Sequence, residues 1–163
     1  MLMMDAVKKS TEKPSATPAE TKEQPTRRGR LLVVEDSESS RAMVCDHLRD
    51  EHFDFDEAEN GAVAVERART TRYELILMDI MMPMMDGYEA IRRIRQSEES
   101  HGLERTPIIA FTGSSFEEDI QRALDSGANL HISKPVKKEA LMEAIKSLIR
   151  HEVAGAGSRK HST

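Results

Sequence analysis

Glu74-Leu75-Ile76-Leu77-Met78-Asp79-Ile80-Met81-Met82-Pro83-Met84-Met85-Asp86-Gly87 is the stretch that decides the fold. It opens as an apolar run of strand length, and that run ends on a carboxylate, Asp79. Short apolar runs bounded by turn residues suit strands buried on both faces. Pro83 and Asp86-Gly87 then break the strand. A buried strand that ends on a carboxylate and a turn presents that carboxylate to a loop crevice.

The same arrangement recurs elsewhere. Leu31-Leu32-Val33-Val34 runs into the acid pair Glu35-Asp36, and Leu130-His131-Ile132-Ser133 runs into Lys134-Pro135. Three carboxylates and a lysine at strand ends suit a site for Mg²⁺ and a phosphoryl group.

Strand and helix patterns alternate along the chain. The spacing predicts strands at 30–34, 53–58, 74–78, 107–111 and 129–133, and helices at 39–49, 62–69, 88–95, 116–125 and 136–150. Ser37 suits a cap for the first helix, with Ala42, Val44, Cys45 and Leu48 facing inward. Phe53 and Phe55 alternate with Asp54 and Asp56, as on an edge strand. Asn60-Gly61 often marks a hairpin, but the Ala-rich, charged segment after it favours a helix. Gly127 stops the fourth helix, and Leu141, Ile145, Leu148 and Ile149 share one face of the last. Such alternation implies a doubly wound α/β fold, a parallel sheet with helices on both faces. Ligands of open parallel sheets lie beyond the carboxyl ends of the strands, at the switch point. Glu35-Asp36, Asp79, Thr112 and Lys134 all fall at such ends.

With 163 residues the chain holds one domain and tails. Residues 1–28 are rich in Lys, Glu, Pro, Ser and Thr without apolar periodicity, and read as a disordered arm or linker. The domain is expected over 29–150 and a flexible tail over 151–163. The net charge of -5 argues against direct nucleic-acid binding. Cys45 is the single cysteine, which excludes an internal disulfide and fits a reducing compartment. No apolar run is long enough to span a bilayer, and Asp5 interrupts the start before a signal-peptide core forms. The expectation is a cytoplasmic protein without membrane contact.

The chain resembles the receiver domain of two-component response regulators, the CheY-like, flavodoxin-like fold. The matching pieces are Val33-Val34-Glu35-Asp36-Ser37, Leu77 to Gly87, Ala110-Phe111-Thr112-Gly113 and Ser133-Lys134-Pro135. The resemblance implies a five-stranded parallel sheet of order 2-1-3-4-5. It implies that Asp79 accepts a phosphoryl group from a histidine kinase or a histidine phosphotransfer protein. It further implies Mg²⁺ held directly by Asp36 and Asp79, largely through water by Glu35, and by the backbone carbonyl of Met81. The family usually has a cis bond before the residue matching Pro135, and an aromatic switch residue where His131 stands. Output by contact with a downstream protein, through the fourth helix, fifth strand and fifth helix, and phosphorylation-dependent dimerisation also belong to the family. Met81 and Ser114 match positions that tune phosphoryl lifetime, and neither offers an acid or amide to orient water. Slow self-dephosphorylation is therefore expected.

The residues support these roles chemically. A carboxylate attacking phosphorus gives an acyl phosphate, so Asp79 suits a nucleophile. Glu35, Asp36 and Asp79 repel one another, and a hard divalent cation relieves that repulsion. Lys134 supplies a point charge for phosphoryl oxygens. The Thr112 hydroxyl is a donor whose new bond would bias a two-state equilibrium. His131 adds a titratable group to the output face. Met81, Met82, Met84 and Met85 suit packing beside the site rather than copper. The histidines show no zinc spacing, and Cys45 belongs to the core.

The expectation is a signalling module rather than an enzyme. A rival is a Mg²⁺-dependent phosphohydrolase of the haloacid dehalogenase type, but it needs a second acid where Met81 stands. Another is a docking module of the same fold that is never phosphorylated. The polar segment Ser97 to Thr106, read as a long loop, resembles receivers of hybrid histidine kinases.

Overall fold

The computed structural model describes residues 29–113 and 115–157, with side chains to Ile149. The expected arm at 1–28, Ser114 and the end of the tail at 158–163 lie outside the described residues.

The elements run β1 (Leu31–Val34), α1 (Glu38–Asp50), β2 (Phe55–Ala58), α2 (Gly61–Thr70), β3 (Leu75–Asp79), α3 (Gly87–Ser100), β4 (Ile108–Thr112), α4 (Glu117–Ser126), β5 (Leu130–Ser133) and α5 (Lys138–Gly157). The sheet is five-stranded and parallel in every pairing, in the order β2-β1-β3-β4-β5. This is the expected doubly wound architecture.

Side-chain alternation along each strand divides the core in two. Leu32, Val34, Ile76, Met78, Ile108 and Ala110 pack under α2, α3 and α4. Leu31, Val33, Leu75, Leu77, Ile109 and Phe111 pack under α1 and α5. Every residue of β1, β3 and β4 is buried, whereas β2 and β5 at the edges are partly open. Each fully buried aliphatic side chain contributes about 1.5–3 kcal/mol, so the apolar runs select the three central strands.

Side-chain caps set the helix starts. Ser37 accepts from the Ser40 N–H, Asn60 from Val63 at 2.9 Å and Asp86 from Glu89 at 2.9 Å. Asn60-Gly61 thus opens a helix and not a hairpin. Gly127, with φ 119°, ends α4 in the left-handed region.

Several boundaries differ from expectation. Ala42 is exposed; α1 turns Val44, Cys45 and Leu48 inward instead. β2 begins at Phe55, and Phe53 is buried from the segment before it. α3 continues to Ser100, so most of the supposed long loop's first half is helix. The cause is Glu98, which is buried and paired with Arg95 one turn earlier at 2.8 Å. α5 passes Arg150 and runs to Gly157.

Candidate functional site

Register alone brings the acids together. Val34 of β1 pairs with Met78 of β3, so Glu35 and Asp79 are neighbours at the carboxyl edge. Asp79 pairs with Phe111, and Thr112 pairs with Ser133, which places Thr112 and Lys134 on the other flank. The Lys134 N–H reinforces this by donating to the Thr112 carbonyl at 2.7 Å.

Glu35 and Asp79 are buried, and Asp36 is exposed at the rim. One carboxylate oxygen from each lies within 4.8 Å of the others. Lys134 Nζ stands 2.9 Å from Asp79 Oδ1 and 3.1 Å from Glu35 Oε2. Burial, then the hydrogen bond and charge of Asp79, push the Glu35 carboxyl up to about 7. Burial alone would lower Lys134, but its hydrogen bonds and attraction to Asp79 and Glu35 outweigh that and raise it. The lysine therefore stays charged beside two crowded acids.

The surrounding backbone fixes these groups. The Ser37 N–H donates to Glu35 Oε1 at 3.2 Å, and the Met81 N–H to Asp79 Oδ1 at 3.3 Å. Arg41, which sequence reasoning did not single out, donates to the Glu35 carbonyl at 2.8 Å and to Glu57 at 3.1 Å. Gly87 was quoted only as part of a motif, yet it permits a very close approach. A Cβ there would lie 2.3 Å from the Asp79 carbonyl oxygen. The Lys134-Pro135 peptide is cis. His131 is half-buried on β5, opposite Ala110, in a groove whose other wall is α5. Cys45 is buried in the core under α1.

Three buried side-chain atoms have no hydrogen-bond partner among the described residues, and two of them, Asp79 Oδ2 and Thr112 Oγ1, belong to this site; the third is Glu74 Oε2. A buried polar atom without a partner is costly. An all-oxygen cluster with an unpartnered carboxylate oxygen fits Mg²⁺, which prefers few carboxylates and retains waters and phosphate oxygens.

Comparison with known proteins agrees with this geometry. The family model of the response regulator receiver domain matches residues 31–146. The two-component response regulator ORR41 of Oryza sativa subsp. japonica is 42% identical over 116 residues, covering 69% of this chain and 87% of that protein. Among solved structures, the receiver domain of the sensor histidine kinase PA1611 from Pseudomonas aeruginosa, with a magnesium ion coordinated in its active site cleft, superposes with a TM-score of 0.67. It is 33% identical and covers 74% of this chain and 97% of that one. The co-crystal structure of the Saccharomyces cerevisiae histidine phosphotransfer signaling protein Ypd1 and the receiver domain of Ssk1 gives a TM-score of 0.71 at 31% identity, covering 76% of this chain and 90% of that one. The chain spans less than a tenth of the length of the histidine kinases it matches, and about half of two bacterial regulators. A doubly wound sheet, acids at its switch point and a lysine beside them meet this match over the same residues, and the chain belongs to the response regulator receiver domain family.

Proposed function

We propose that this receiver of two-component or phosphorelay systems takes a phosphoryl group onto Asp79 from a phosphohistidine protein, either a histidine kinase or a histidine phosphotransfer protein. The observation that carries the reading is Lys134 Nζ at 2.9 Å from a buried Asp79 whose second oxygen is unpartnered. A free carboxylate oxygen beside a fixed cation is a nucleophile with charge stabilisation already in place.

In the proposed step, Asp79 forms a bond to phosphorus as the phosphorus–nitrogen bond of the donor histidine breaks. Lys134 offsets charge on the phosphoryl oxygens. Asp36, Asp79 and the Met81 carbonyl would hold Mg²⁺ directly and Glu35 largely through water, and the ion would supply Lewis-acid charge stabilisation. Thr112 donates its buried hydroxyl to a phosphoryl oxygen and so draws the β4 loop inward. His131 serves as the switch residue on β5, and Pro135 keeps Lys134 in place.

The receiver is assigned to 29–150, with flanking segments at 1–28 and 151–163. It is a phosphoacceptor module in the cytoplasm, signalling to a downstream protein and dimerising when phosphorylated. The PA1611 receiver with its magnesium ion and the Ypd1–Ssk1 complex support the cofactor and the partner class.

The test is intact mass after incubation with Mg²⁺ and acetyl phosphate, beside Asp79→Asn. One added phosphoryl group in the parent and none in the variant is expected. No addition in either, with Mg²⁺ binding verified separately, would move the chain to an unphosphorylated docking module.

A further inference from the structure

Met81, Met82, Met84 and Met85 follow the acceptor strand in one loop, yet their surroundings diverge. Met82 is 8% exposed and packs with Ile80 and Tyr88. Met85 is partly buried against that same core. Met81 is 72% exposed and Met84 fully so. Met84 sits at φ 69°, in the left-handed region that an unbranched residue occupies only at some cost. The Met81 backbone is tied to Asp79 Oδ1 at 3.3 Å while its side chain stands in solvent. Packing therefore explains Met82 and Met85 and leaves the thioethers of Met81 and Met84 open to solvent in the loop that follows Asp79. Thioether oxidation follows access, and a sulfoxide replaces an apolar sulfur with a polar S=O group.

We propose that Met81 and Met84 are oxidant-sensitive modification sites, and that sulfoxide formation at Met81 shortens the life of a phosphoryl group on Asp79. The second half rests on the receiver reading. With a peroxide as oxidant, the methionine sulfur attacks one peroxide oxygen and the O–O bond breaks. An S=O bond forms and the other oxygen leaves as water. The sulfur loses two electrons and the peroxide gains them. A thioether is a weak acceptor that does not orient water, whereas a sulfoxide oxygen is a strong one. Beside Asp79 it holds a water whose oxygen bonds to phosphorus as the bond from phosphorus to the Asp79 oxygen breaks. The products are the free carboxylate and inorganic phosphate, which takes up the water's proton. Met84, five residues beyond Asp79, is the internal control: still more open than Met81, without a backbone bond to the carboxylate.

The experiment treats the full chain with hydrogen peroxide, maps sulfoxides by peptide mass, and follows loss of label after acetyl phosphate is removed. Met81 and Met84 are expected to oxidise first, ahead of Met82 and of Met142, which is 6% exposed. Label lifetime in the oxidised parent should fall by about tenfold, short of the roughly hundredfold or more that a dedicated general base supplies. Methionine sulfoxide reductase should restore it. Met84→Leu should retain the response to peroxide. Met81→Leu, whatever its starting lifetime, should lose it. Equal oxidation of Met82 and Met142, or an unchanged lifetime once Met81 is oxidised, overturns the inference and leaves the receiver reading intact. A parent that never takes label overturns both.

Discussion

Arg95 grips the carbonyl oxygen of Gly127 with two nitrogens, Nε at 3.0 Å and Nη2 at 2.9 Å. The same guanidinium donates to the Thr106 carbonyl at 2.8 Å and to Asn129 Oδ1 at 3.0 Å, and pairs with Glu98 at 2.8 Å. Glu98 in turn accepts from the Thr106 N–H at 2.8 Å. One side chain thus ties the end of α3 to the entries of β4 and β5. Arg95→Ala leaves Glu98 buried without its cation and should cost about 3 kcal/mol in urea unfolding. A loss under about 0.5 kcal/mol, the range of an ordinary surface change, would show that the network is dispensable.

The acid pocket makes divalent cations stabilising. Glu35, Asp36 and Asp79 are held together in the folded chain only, so a cation bound there favours that state. The melting temperature should rise on adding Mg²⁺ and fall back with a chelator. In Asp36→Asn and Asp79→Asn the rise should shrink. An equal rise in both variants would mean that the ion binds elsewhere.

Asp56 should carry part of the acid sensitivity. Burial alone would raise its carboxyl, but the Tyr73 hydroxyl and Arg30, each at 2.7 Å, outweigh that and lower it below its ordinary 3.8. A carboxyl lowered on folding stabilises the fold above its unfolded value, and that stability is lost as pH falls through the folded value. Stability should therefore decline as pH drops below about 4. Asp56→Asn should be less stable at neutral pH and show a shallower decline on that acid limb. Parallel acid limbs in the two proteins would refute the assignment.

Cys45 should be inert in the folded protein. Burial first, then the neighbouring Glu57 carboxylate, push its thiol up to about 12. Because the thiolate is the reactive form, iodoacetamide should modify Cys45 slowly at neutral pH and at an ordinary rate in urea. Rapid labelling without denaturant would mean that α1 opens readily.

The parts of the fold legible from sequence were those written in contiguous residues. Leu75 to Met78 needed burial on both faces, and only a central strand supplies it. Asp79 and Lys134 were legible because a strand's last residue, and the one just after it, must lie at the sheet edge, and parallel strands share that edge. What escaped notice depended on partners distant in the chain. Glu98 looked like a loop residue because its neighbours are polar, and only Arg95 and the Thr106 N–H make its burial tolerable. Ala42 looked inward because alanine suits either side of a helix, and only the packing of Val44 and Leu48 sets which side is in. Arg41 carries no local sign of its bond to the Glu35 carbonyl.

The glycines around Asp79 divide the domain unequally. At Gly87 backbone meets backbone too closely for any side chain, and at Gly61 a Cβ would lie 2.9 Å from the Met85 carbonyl oxygen. At Gly113, just past Thr112, a Cβ would meet no atom of the described residues within 4 Å beyond its own chain neighbours. A shift of the Asp79 backbone toward Gly87 would therefore meet backbone, whereas one at Gly113 would meet open space.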